Sequence, residues 1–224
     1  MTTTISARTN PFFAPSSLPF QAPPFDQIQE GDYLPAIQEG MKQQLAEVAR
    51  ISANPEAPTF ANTLVALERS GALLNRVMPV FSAVTGANTS DELQKVQQEV
   101  APQLAAHEDS IFLDEQLFDR VGAVYGQREA LELDPESGRL LEWYYDEFVR
   151  NGARLGDSDK AALKELNKEA STLNTSFANR LLAASKAGAL VVTDVSALAG
   201  LNDDEIAAAA LAAQDRNLTD AWLL

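Results

Sequence analysis

The chain has 224 residues, of which 46% are hydrophobic and 22% charged, which is enough apolar material to bury a sizeable core. Thirty-two acidic against 17 basic residues give a formal charge of -15, and a field of that sign repels nucleic acid and anionic membranes, so neither is expected as a partner. Because there is no cysteine, no disulfide forms, and no segment approaches the roughly 20 apolar residues of a membrane span. With no apolar secretory signal in residues 1–9, we expect a soluble, cytoplasmic protein.

Histidine chemistry is limited to one side chain, His107. An ordinary zinc site takes three or four ligands, usually His and Cys, and a Ser-His-Asp or Cys-His arrangement needs a histidine beside its nucleophile. Most common catalytic arrangements would therefore have to be built around this one imidazole.

Residues 1–31 are rich in proline, phenylalanine and serine. Prolines at this density forbid a helix. A free tail rarely carries so many aromatic residues, so the segment is predicted to be an extended arm laid on an apolar surface.

Residues 32–187 show the three- and four-residue spacing of amphipathic helices, which predicts a mainly α protein, an antiparallel helical bundle lobe. Asp32 is predicted to cap the first helix, with Leu34, Ile37, Met41, Leu45 and Val48 on its buried face. Two X-Pro pairs end it. Thr59 is predicted to cap the second helix, with a kink or break near Gly71 or Pro79.

Three further helices are predicted before the longest one. The third starts at Ser90 and has His107 on its apolar face. A fourth is indicated by apolar residues from Leu117 to Leu131. The fifth starts at Asp134-Pro135 and ends at Asn151-Gly152. Asp157 is predicted to cap a helix over roughly 158 to 187. Its apolar stripe is Leu163, Leu166, Ala170, Leu173, Phe177 and Leu181, and its lysines, Lys160 among them, are assigned to a solvated face.

Residues 188–224 change in character and are interpreted as the start of a continuing, truncated segment. Residues 189–193 form a short β-like run, and an unpaired strand is not stable alone. Truncation is one interpretation; pairing with the N-terminal arm or with a second copy is the other. For a severed lobe, exposed apolar surface is predicted near Val191, Val192, Trp222 and Leu223.

Several segments, taken in order, resemble a known family. They are residues 10–13, 23–28, 32–36, 54–60, 66–71, 101–107, 148–153 and 159–160. Together they are similar to the N-terminal portion of the thimet-oligopeptidase-like zinc metallopeptidases, and closer to the bacterial peptidyl-dipeptidase branch than to the oligopeptidase A branch. The resemblance covers the chain from Asn10 to about Asn217.

The resemblance implies a helical lobe that forms a wall of a channel admitting short peptides. In that family, a C-terminal part absent here carries H-E-x-x-H, which binds zinc, and the peptidyl-dipeptidases release C-terminal dipeptides. The intact enzyme is thus expected to need zinc, while this chain holds no cofactor and is predicted to be inactive alone. The alternative is a non-catalytic helical module that binds peptides or proteins.

No candidate within the chain replaces that motif. The one His-Glu pair begins His107-Glu108, but Ile111 stands where the second histidine belongs, so His107 is interpreted as a packed helix-face residue. The acidic residues Glu142, Asp146 and Glu147 are interpreted as a solvated helix face in preference to an acid-base pair. Tyr144 falls on the buried stripe, and Trp143 and Tyr145 are interpreted as packing residues in preference to the lining of a peptide channel. A substrate carboxylate could be bound by an arginine, but nothing singles out one among Arg139, Arg150, Arg154 and Arg180. We assign no catalytic, cofactor-binding or metal-binding residue.

Overall fold

The structure is a computed structural model that describes residues 8–224. Residues 1–7, which hold most of the segment judged to lack a secretory signal, lie outside the described residues. The chain divides into two compact units, residues 8–175 and 176–224 in the described part. Helices dominate, which confirms the predicted mainly α class. Within residues 8–224, every helix is too short or too polar to cross a membrane.

The helices follow the chain in the predicted order. Short 3-10 turns occupy Pro11–Phe13, Pro19–Gln21 and Glu30–Asp32 in the arm. The α-helices are α1 (Tyr33–Ser52), α2 (Ala66–Glu68, entered through a π-helical turn at Phe60–Val65), α3 (Ala72–Ala87), α4 (Asp91–Phe112), α5 (Glu115–Gly126), α6 (Pro135–Arg150), α7 (Asp157–Ala187) and α8 (Asp203–Asp215).

Two apolar clusters form the core of the first unit. The first joins the arm to the first half of α1, to α3 and to the first half of α4, with Ile37 and Val77 fully buried. The second joins the end of α1, the α2 segment and the end of α4 to α5 and α6, with Leu117 and Phe148 fully buried. The helices α1 and α4 therefore run from one cluster into the other.

Side-chain caps set most helix starts. The hydroxyl of Thr59 accepts from the backbone N–H of Asn62 at 3.1 Å, and Ser90 accepts from that of Leu93 at 3.1 Å. Both confirm the predicted starts. Asp32 does occupy the N-cap position of α1, as predicted, but its carboxylate makes no capping bond to that helix. It accepts instead from the Gln29 backbone N–H at 2.7 Å and from Arg8.

Glycine, and not proline, makes the predicted break in the second helical stretch. Gly71 has φ of +73°, a left-handed conformation that costs glycine little, and α3 begins at the next residue. Pro79 lies inside α3 without ending it. The fourth helix is shorter than predicted, because α5 ends at Gly126, before Leu131.

The long helix α7 begins at Asp157, one residue before the predicted start. The predicted apolar stripe of this helix is not covered by other described residues. Leu166 is 62% exposed and Leu173 60% exposed. Lys160, assigned to the solvated face, is buried instead, and its Nζ donates to Glu115 at 2.9 Å. Both corrections have one reason: the side of α7 that meets α4 and α5 is polar.

The predicted strand lies in the second unit and pairs with another strand of the same chain. In β1 (Val191–Val192), Val191 pairs with Leu223 and Val192 with Trp222 of the antiparallel β2 (Trp222–Leu223). The premise that this strand is unpaired was therefore wrong, and so was its pairing with the arm or a second copy. Among the residues predicted to be exposed, Val191 is, whereas Leu223 is buried.

Candidate functional site

His107 lies inside the first unit, where α1 and α4 pass between the two apolar clusters. Its Nε2 is 2.8 Å from Oε1 of Gln44, and Gln44 Nε2 donates to the hydroxyl of Ser70 at 3.3 Å. Ser70 in turn donates to the carbonyl of Leu67 at 2.7 Å. Because the Gln44 oxygen accepts, the proton of the imidazole resides on Nε2.

Burial lowers the pKa of His107 below its usual value, because the charged imidazolium loses its solvation. Nδ1 is buried and has no hydrogen-bond partner. One helical turn further along, Ile111 is buried in the second cluster. Hence this histidine is held neutral in a packed environment, as its position on the apolar stripe predicts.

The residues here do not fit a zinc ion. Within residues 8–224, no group of three or more His, Cys, Asp or Glu side chains is placed to hold a metal. Asp109, two residues from His107, is buried and accepts from Asn167 Nδ2 at 2.7 Å, which fastens α7 to α4. The side chains around the lone histidine are thus committed to packing and hydrogen bonds.

The acidic candidates on α6 are either paired with a neighbouring arginine of the same helix or exposed to solvent. Glu142 and Glu147 form ion pairs one turn away, with Arg139 at 3.4 Å and Arg150 at 2.8 Å, and Asp146 is exposed. This is a solvated helix face, where such pairs add little stability.

The three aromatic residues of α6 have separate environments. The Tyr144 hydroxyl donates to Glu68 at 2.5 Å, and burial together with this carboxylate raises the pKa of the phenol. Tyr145 stacks on Tyr125 with 3.8 Å between ring centroids, while Trp143 stays 42% exposed. Two of the three rings are therefore packing residues, as the sequence favoured.

The structure shows a groove that sequence reasoning missed, between the arm and α3. It encloses about 440 Å³ and is lined mainly by small and apolar residues, among them Phe12, Phe20 and Val80. Among the described residues that line it, Arg76 is the only charged one, and its Nη1 donates to the Phe12 carbonyl at 2.6 Å. A groove of this kind suits an apolar ligand that carries a negative charge.

Arg120 is a second feature that the sequence did not indicate. This buried residue of α5 donates through Nη1 to the carbonyls of Asn54 (2.8 Å) and Glu56 (3.1 Å), and through Nη2 to the side chain of Asn62 (3.0 Å). The guanidinium thus fixes the path of the proline-containing linker between α1 and the π-helical turn. By contrast, Arg154, a carboxylate-binding candidate, donates to the Tyr145 hydroxyl.

Comparison with known proteins finds relatives among bacterial peptidases, although no family model matches the chain. It is 51% identical to dipeptidyl carboxypeptidase of Escherichia coli (strain K12) over 215 residues, 96% of this chain and 32% of the relative. For the protein of that name from Salmonella typhimurium the identity is 49% over 216 residues, with the same coverage. Oligopeptidase A of Escherichia coli is 23% identical over 210 residues, 94% of this chain and 30% of the relative.

The chain therefore spans about a third of the length of the relatives it matches. The identity with the dipeptidyl carboxypeptidases is about twice that with oligopeptidase A. This confirms the resemblance inferred from the sequence, including the closer similarity to the peptidyl-dipeptidase branch.

Proposed function

We propose that this chain is the N-terminal helical lobe of a zinc metallopeptidase, a peptidyl-dipeptidase that releases C-terminal dipeptides from short peptides. The observation that carries the proposal is 51% identity to a dipeptidyl carboxypeptidase over 96% of the chain. In the whole enzyme the lobe forms part of the wall of the substrate channel. The enzyme acts in the cytoplasm, a compartment that the absence of cysteine fits.

Catalysis in this proposal belongs to polypeptide outside the 224 residues. Zinc bound there supplies the Lewis acid that activates water. The described residues do not fit that ion, since His107 is paired with Gln44 and Ile111 occupies the position of the second ligand. What the lobe contributes is a rigid scaffold, two apolar clusters joined by continuous helices.

A hybrid protein tests the proposal. The matched 32% of the Escherichia coli dipeptidyl carboxypeptidase is replaced by this chain, and release of the C-terminal dipeptide from a blocked tripeptide is measured. We expect zinc-dependent activity from the hybrid and none from the 224-residue chain alone. A folded hybrid without activity would refute the lobe assignment, and metal-dependent turnover by the pure chain alone would refute the assignment of catalysis elsewhere.

The second candidate is a non-catalytic module that binds peptides, and the groove between the arm and α3 favours it. The cation that the described residues place in this groove, Arg76, lies among mainly apolar side chains. This function predicts that a short peptide with an apolar C-terminal residue binds the isolated chain, and that the C-terminal amide of the same peptide binds more weakly. Equal binding of acid and amide, or none of either in calorimetry, would exclude it.

A further inference from the structure

In the second unit some large apolar residues are buried, such as Leu198 and Leu223, but α8 leaves its leucine exposed. In α8 the small residues Ala209 and Ala213 are buried, while Leu211 is 60% exposed. A helix that packs only within its own unit normally places its largest apolar residues inward, because burial free energy grows with apolar area. The outward leucine indicates that α8 has a second face to cover.

The last part of α7 shows the same arrangement. Phe177 is 69% exposed and Leu181 57% exposed. Residues four apart lie on one side of a helix, so these two side chains form a single ridge. Such an i, i+4 pair is the usual anchor for the apolar face of another helix.

Exposed apolar residues are concentrated in the second unit. Of the 15 large hydrophobic residues exposed among residues 8–224, seven fall in its 49 residues. They are Phe177, Leu181, Leu190, Val191, Val195, Leu211 and Leu224, which we call the second-unit apolar set. Exposed apolar surface at this density marks an interaction surface.

Two observations favour one kind of partner for this set. The relatives carry about two thirds of their length beyond the part that matches this chain, so a large polypeptide partner exists in those proteins. A second copy is disfavoured by charge, because two whole chains, each with a formal charge of -15, repel one another.

We propose that the second-unit apolar set is the docking surface for the remaining part of the peptidase, which presents the apolar face of a helix to Phe177 and Leu181. This inference rests on the proposed function and adds to it the surface through which the lobe joins the catalytic part.

Thiol labelling tests this directly, because the chain has no cysteine of its own. Leu181→Cys is placed in the 224-residue chain and in the hybrid, and its labelling rate is followed by mass spectrometry of the peptide that carries it. Phe25→Cys, at a site 60% exposed in the arm, is the matched exposed control, and Val77→Cys, at a fully buried site, reports that the first unit is folded. The chain is also mixed with the rest of the Escherichia coli protein as a separate polypeptide.

Leu181→Cys is expected to label as fast as Phe25→Cys in the 224-residue chain, and about 100-fold more slowly in the hybrid or the mixture, as for a buried thiol. Unchanged labelling in both formats overturns the proposal. Slow labelling in the 224-residue chain alone also overturns it. If that slow rate depends on protein concentration, a second copy covers the site; if it does not, the first unit does. An active hybrid with a reactive Leu181→Cys refutes only the docking surface; an inactive hybrid with a protected one refutes only the function.

Discussion

Gly40→Ala is the sharpest test of how the first unit packs. Gly40 lies on α1 against α3, and a Cβ built on it lies 2.9 Å from the backbone N of Leu74, 3.0 Å from its Cα and 3.1 Å from its Cβ. Carbon atoms in van der Waals contact are about 3.5–4.0 Å apart. The two helices therefore have to separate by about 0.5–1 Å, because a backbone cannot rotate away as a side chain does.

The size of the effect follows from two opposed terms. Overpacking a well-filled interface costs about 1–3 kcal/mol. Alanine in place of glycine inside a helix returns about 1 kcal/mol. Because two of the three close atoms are backbone atoms, which cannot move aside, the overpacking cost lies in the upper part of its range, about 2–3 kcal/mol. We therefore expect a net loss of about 1–2 kcal/mol in the free energy of unfolding, which lowers Tm by about 2–8 °C for a chain of this length.

The measurement is urea and thermal unfolding followed by circular dichroism, with Gly122→Ala as the matched control. Gly122 is inside α5, and a Cβ there has no neighbour within 4 Å. That variant keeps only the gain in helix propensity, about 0.5–1 kcal/mol. If Gly40→Ala is as stable as the unmodified chain, the close approach of α1 and α3 is not real and the reasoning fails.

Two further predictions concern His107 and Phe12. Burial holds the pKa of His107 below its usual 6.5, so stability is full above pH about 6.5 and falls as the pH drops from there through the lower folded-state pKa. His107→Gln should remove that decrease, seen as urea midpoints at pH about 7.5 and 5; the same decrease in both proteins would contradict the assignment. Phe12 is 2% exposed and packs beside Tyr33, so Phe12→Ala should lower the free energy of unfolding by about 3 kcal/mol. Phe13 is 48% exposed, so Phe13→Ala should change that free energy by less than about 0.5 kcal/mol. Equal effects of the two phenylalanine variants would mean that the arm is not docked through Phe12.

Helix starts were predictable where the determinant is local. Thr59 and Ser90 cap helices through backbone groups three residues away, and a pattern that short is fully contained in the sequence. Asp32 looked equally suitable, but its carboxylate is taken by Arg8, at 2.5 and 2.6 Å, 24 residues earlier. A cap fails when a distant cation competes for it, and spacing alone does not reveal that competition.

The arm and α7 show the limit of composition. Four phenylalanines predicted an arm laid on an apolar surface, yet among Phe12, Phe13, Phe20 and Phe25 only Phe12 is buried by the described residues. In α7 the apolar stripe is exposed, and the polar side makes the contacts to α4 and α5. Amphipathic spacing predicts that a face will be covered but does not say which polypeptide covers it.

For the candidate site, the sequence predicted the setting of His107 but not its partner. Its spacing placed the imidazole on a buried stripe. The bond to Gln44 joins residues 63 positions apart, and the contact of Arg76 with Phe12 joins residues 64 apart. Such pairings depend on how α1, α3 and α4 pack, which one sequence does not specify.

Arg120 holds a linker in place mainly through the backbone of that linker. It holds the linker after α1 partly through the carbonyls of Asn54 and Glu56, and every amino acid supplies a carbonyl. These contacts with Arg120 therefore place no requirement on the side chain of Glu56, whereas Asn54 also shapes the linker with its own amide oxygen, which accepts from the Glu56 backbone N–H at 3.0 Å. The constraint falls on position 120, where lysine, with a single ammonium, does not reproduce the three-way contact of a guanidinium.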